Sequence, residues 1–108
     1  MDWFYLLLAG AMEIGWPVGM RISQAPGYRA FGLILSVCCM VLSGVFLWQA
    51  QKTIPMGTAY AIWTGIGAAG AFFVGICFFG EPRTAARMIS VMLIIVGMIG
   101  LKLSHRPA

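Results

Sequence analysis

Charge is what this sequence has least of. Of its 108 residues, three are acidic, seven are Lys or Arg and one is His, so that charged side chains make up 9% of the chain against 61% hydrophobic. A soluble globular domain carries about a quarter of its residues charged, and a fold exposed to water on all sides is therefore excluded. No basic cluster is interleaved with aromatics, which removes the usual means of gripping nucleic acid. Cysteine is scarce as well. Cys38, Cys39 and Cys77 lie inside apolar stretches without metal-ligand spacing and read as small packing hydrophobes, not as ligands or redox pairs. The single histidine, His105, falls in the terminal tail, where it is expected to be solvated, and no nucleophile–base pair accompanies it. Hydrolytic chemistry, a metal centre and a bound cofactor have no residues to rest on.

What the sequence does have is long uncharged runs. Residues 30–51 and 53–80 carry no charge, and residues 3–20 carry only Glu13. Each is long enough to cross a hydrocarbon core of about 30 Å, which takes about 20 helical residues. A fourth span is shorter, with residues 88–101 uninterrupted, but Arg87 and Lys102 can extend it by reaching outward along their alkyl stems. The expectation is an all-α membrane protein of four transmembrane helices, about 3–20, 30–49, 57–79 and 84–104, forming one transporter domain. Turn chemistry separates them: Pro26-Gly27 in the first connection, Pro55 before the third helix, and Gly80-Glu81-Pro82 before the fourth, where Thr84 is the expected N-cap. Glu81 reads as a loop and cap residue beside a helix start, not as a second ion site. The first span lacks a basic leader, has Asp2 near its start and carries a carboxyl in its middle, so it reads as a retained helix and not as a signal peptide.

Four spans put both termini and the second loop on one side. That side holds Lys52, Lys102 and Arg106, against Arg21, Arg29, Arg83 and Arg87 on the other. So even a split leaves the positive-inside rule little bias to act on. Insertion both ways up is one reading; a single orientation decided by one charge or an insertion factor is the other.

Glu13 is the strongest chemical signal. A carboxyl at the centre of a membrane helix costs about 2.5–3.5 kcal/mol even on lenient insertion scales, and function is the usual reason for keeping it. The plain reading is a protonated Glu13 that only hydrogen-bonds a neighbouring helix. The functional reading is an exchangeable site: a carboxyl in a low-dielectric setting holds a proton more firmly, and a cation can take the proton's place. Proton and cation then exclude each other, which is sufficient for coupled exchange.

Gly10 and Trp16 share a face with Glu13 at i, i+3 and i+6. Trp16 reads as a site wall or a core aromatic. Pro17 stands at Glu13+4 and cannot donate to the Glu13 carbonyl, which produces either a kink beside the carboxyl or an irregularity that neighbouring helices absorb. The third helix carries Gly57, Ala61, Gly65 and Ala69 at four-residue spacing, which suits close helix contact. Its glycines, Gly65 and Gly67 together with Gly70 and Gly75, read equally as a hinge or as close packing. Ser43, Tyr60 and Trp63 bring polar tips into apolar helices, and Ser90 with Gly97 forms a small-residue stripe on the fourth helix suited to dimerisation.

These features converge on a known pattern. Gly10-Ala11-Met12-Glu13-Ile14-Gly15-Trp16, the run from Pro55 through Trp63-Thr64-Gly65-Ile66-Gly67, and Gly100-Leu101-Lys102-Leu103-Ser104 resemble the small multidrug resistance family over essentially the whole chain. The Gly-x-x-Glu-x-x-Trp and Trp-Thr-Gly-Ile-Gly patterns are similar to its guanidinium exporter subtype. The resemblance implies an antiparallel, dual-topology homodimer in the bacterial inner membrane, with two Glu13 carboxyls sharing one site for protons and guanidinium. It also implies that Ser43, Trp16 and Trp63 hydrogen-bond and orient Glu13 and that Tyr60 lines and gates the site. The chain departs from the pattern at Arg21, where Lys is usual, at Pro17, and in a first loop one residue longer. An antiporter for bulkier quaternary ammonium and hydrophobic cations is the neighbouring reading, and a non-transporting membrane subunit in which Glu13 only pairs helices is a reading of a different class.

Overall fold

The computed structural model describes residues 2–104; the readings of His105 and Arg106 fall outside the described residues. Four helices follow one another: α1 (Asp2–Ile22), α2 (Arg29–Ala50), α3 (Met56–Phe79) and α4 (Ala85–Leu103). Each begins and ends within two residues of its expected span. At 1.5 Å per residue, 19–24 residues make rods of roughly 28–36 Å, matched to a bilayer core.

The helix ends follow local chemistry. Gly27 takes the left-handed conformation (φ 83°) in the turn between α1 and α2, and Gly80 (φ 67°) stops α3, a conformation glycine adopts without steric cost. The Thr84 side chain caps α4 by accepting from the Arg87 N–H at 3.3 Å.

Three helices are long and apolar enough to cross a membrane by composition, namely α2, α3 and α4. The first helix is of matching length but carries Asp2, Glu13, Pro17 and Arg21, and these polar and helix-interrupting residues are what set it apart. It continues unbroken through Pro17. Likewise α3 runs unbroken through Gly65 and Gly67.

α1 and α2 pack antiparallel along their length, α1 and α3 pack side by side, and α4 packs its backbone against α3 alone. Small residues set the closest approaches. Gly19 faces the Gly32 carbonyl and Ser36, so a Cβ on Gly19 would stand 2.8 Å from backbone atoms of α2. Gly65 receives Met98 of α4, and Gly70 receives Ile14 of α1. Gly57, at the start of the same four-residue stripe, touches nothing within 4 Å. A core of Leu6, Ala50, Ile54, Ala59 and Ile62 closes one end of the α1–α2–α3 group, where Thr53 also hydrogen-bonds Asp2. The result is a slab of 48 × 34 × 17 Å that leaves broad apolar faces open, with Ile34 and Trp48 of α2, Phe78 of α3 and Leu93 of α4 exposed.

The alternation of direction places Arg21, Arg29, Arg83 and Arg87 at one end of the slab and Lys52 and Lys102 at the other. Lys102 lies over the Trp3 ring at 4.4 Å and Lys52 over Trp48 at 4.6 Å, the arrangement expected of basic side chains reaching toward head groups past interfacial aromatics.

Candidate functional site around Glu13

The site is built where α1, α2 and α3 meet. Two hydroxyls of α2 tie it to α1. Ser36 donates to the Trp16 carbonyl at 2.8 Å and Ser43 donates to the Ala9 carbonyl at 2.8 Å. The two serines and the two carbonyls have the same seven-residue spacing, so both bonds form in one antiparallel register. Ser43 is buried and also accepts from the Trp63 indole N–H at 2.7 Å, which makes it the common joint of three helices.

Glu13 stands one helical turn beyond this joint. Ala9 is its i−4 neighbour on α1, and Gly67, the i+4 neighbour of Trp63 on α3, is the surface against which the Glu13 side chain lies. A Cβ on Gly67 would collide with Glu13 Cγ and stand 3.7 Å from its carboxyl carbon. Gly10 is buried against Ile66 in the same way, so Gly10 and Glu13 do face α3 together. Glu13 is half-buried, and among the described residues its carboxyl has no hydrogen-bond or ion-pair partner.

The hydrogen bonding differs from the pattern implied by the family resemblance. Trp63 donates to Ser43, and Ser43 in turn donates to the Ala9 carbonyl, supporting the α1 backbone one turn away from the carboxyl without touching it. Trp16 takes part through its carbonyl. Tyr60 packs against Trp63 with ring centroids 5.3 Å apart and the planes tilted by 48° but is 55% exposed, on the open side of α3. Buried Gly10, Ser43 and Gly67 thus surround half-buried Glu13 and Trp63, with Trp16 also half-buried and Tyr60 exposed. Gly65 belongs to a different contact, the one with α4.

This constellation, an unpaired carboxyl on a glycine surface braced by a Trp–Ser–carbonyl chain inside an apolar helical slab, suits reversible binding of a cation or proton. A family model described as Small Multidrug Resistance protein matches residues 1–94. The chain belongs to the small multidrug resistance family. It is 48% identical over 104 residues to a guanidinium exporter of Salmonella typhimurium, covering 96% of this chain and 98% of the relative. It is also 45% identical over 105 residues to one from Citrobacter freundii and 43% identical over 104 residues to one from Escherichia coli K12, with the same coverage. As a small multidrug resistance protein it is a multi-pass transporter of the bacterial inner membrane and not an enzyme.

Two features of this small multidrug resistance protein escaped the sequence reading. Ser36 carries the second α2-to-α1 hydrogen bond; its seven-residue spacing from Ser43 was the available signal. Gly67 is the seat of the Glu13 side chain, which spacing on α3 alone could not reveal because the contact crosses between helices.

Proposed function

We propose that this protein exports guanidinium and small guanidinyl cations in exchange for protons, with Glu13 binding proton and cation in turn. The observation that carries the reading is the Glu13 carboxyl itself, held at mid-helix against Gly67 with no protein partner among the described residues. The names of its relatives support the cation, and the chemistry agrees: guanidinium is a planar fork of N–H donors that matches carboxylate oxygens and is attracted to aromatic faces such as those of Trp16, Tyr60 and Trp63.

Coupling follows from exclusion. A protonated Glu13 is neutral and has lost the charge that holds the cation; a cation-bound Glu13 has no site for the proton. Two copies related in antiparallel fashion would bring two such carboxyls together. The open face of α4, where Gly97 touches nothing within 4 Å and Ser90 is exposed, offers the small residues that membrane helices use for mutual contact. The balanced charge at the two ends supports insertion both ways up. Opening and closing of the site would draw on the glycines of α3, with Gly65 and Gly67 as the hinge.

The test is guanidinium-evoked and tetraalkylammonium-evoked current in proteoliposomes holding wild type or Glu13→Gln. The reading expects current with guanidinium that the substitution abolishes. Current mainly with the bulky ammonium ions would assign the protein to the multidrug type, and silence with both in folded protein would favour a non-transporting subunit.

A further inference from the structure

Between α1 and α3, on the arginine-rich side of Glu13, lies a cavity of about 410 Å³ lined by Pro17, Arg21, Gln24, Phe72, Phe79 and Glu81 among others. It starts one turn beyond Glu13, at Pro17, and its α3 wall begins at Ala68, next to the glycine on which Glu13 rests. Neither Glu13 nor Gly67 lines it; it lies beside the Glu13 site, toward the arginine-rich membrane face.

Guanidinium groups already lie against three of its lining residues, Phe72, Phe79 and Glu81. The Arg87 guanidinium lies over the Phe72 ring at 4.9 Å and 3.9 Å from the Glu81 carboxylate, and the Arg21 guanidinium lies over the Phe79 ring at 5.1 Å. An aromatic face and a carboxylate are the two attractions that a free guanidinium would use. Glu81 is fixed in place by the end of α3. Its N–H donates to the Gly75 carbonyl at 3.1 Å just after left-handed Gly80, and its carboxylate folds over Gly75, where any Cβ would collide with it. Thr84, not Glu81, caps α4.

We infer that Glu81 with Phe72 and Phe79 forms a second, vestibular guanidinium station on the route to Glu13, which Arg87 occupies as a tethered stand-in and yields to the incoming cation. This rests on the guanidinium reading of the Glu13 site. The pair that must open is weak: both side chains are over 40% exposed and the contact lies at the outer limit of an ion pair. Arg21 and Arg87 together outweigh the single Glu81 charge, so the station binds loosely and releases readily, as a way-station must.

The test is equilibrium binding of radiolabelled guanidinium to the full-length protein in a Glu13→Gln background, where the central site is removed. Adding Arg87→Gln should tighten the residual binding at least fivefold, and adding Glu81→Gln should abolish it; urea, the neutral planar analogue, should not compete. Arg87→Lys, which keeps the charge but loses the fork, should fall between Arg87 and Gln. Equal binding by the Arg87→Gln and Glu81→Gln proteins, or no binding by either while both remain folded by circular dichroism, overturns the station. Loss of the Glu13 reading would show separately, as unchanged current in Glu13→Gln alone.

Discussion

The Glu13 side chain lies on the bare backbone of Gly67, so the carboxyl on α1 is positioned by the absence of a side chain on α3. One methyl group at this point would push directly against Glu13 Cγ, and neither helix can withdraw without disturbing its neighbours.

Gly67→Ala is therefore expected to displace the carboxyl and to cost about 1–3 kcal/mol by overpacking. Transport current should fall at least tenfold. Gly97→Ala, on the open face of α4 with nothing within 4 Å, should leave the helical packing of the protomer unchanged, and thermal stability in detergent measures the contrast.

Ser43 serves two partners at once, accepting from Trp63 and donating to Ala9. Hydrogen bonds between membrane helices average about 0.6 kcal/mol and reach about 1.7. A double-mutant cycle of Ser43→Ala and Trp63→Phe should show coupling within that range, because either change breaks the same bond. Additive losses would mean that the two residues act separately.

The α1–α2 crossing depends on Gly19 and Gly32, where an added Cβ would meet backbone atoms of the facing helix. Backbone cannot rotate away as a side chain can, so Gly19→Ala and Gly32→Ala should each destabilise more than Gly65→Ala, whose neighbour is the flexible Met98 side chain. Melting temperatures in one detergent would rank them.

The proposed competition at Glu13 predicts the sign of the pH dependence. If proton and cation share one site, protons on the cation's own side should raise the apparent KM for guanidinium, while protons on the opposite side should drive its uptake. Uptake measured at several pH values in proteoliposomes checks this. An apparent KM independent of pH would rule out a shared site.

Much of this was open to a reader of the chain alone. Uncharged runs of membrane length specify four helices, because unpaired charge in hydrocarbon is costly and helices satisfy their own backbone polar groups. Pro26-Gly27, Pro55 and Gly80 mark the breaks because proline lacks the N–H a helix interior uses and biases the residue before it away from helix, while glycine takes the left-handed angles that end one. Glu13 stands out for the same energetic reason, as the one acidic residue inside an apolar span. These are local properties, set by what each residue tolerates in water or lipid. What only the tertiary structure decided are the pairings between helices: that Gly67 seats Glu13, that Trp63 and Ser43 brace Ala9 without reaching the carboxyl, that Ser36 answers Trp16, and that Glu81 curls over Gly75 to meet Arg87. Periodicity says which residues share a face of one helix, but it carries no information on the register in which two helices meet. That register is set by close packing of small residues summed over the whole interface.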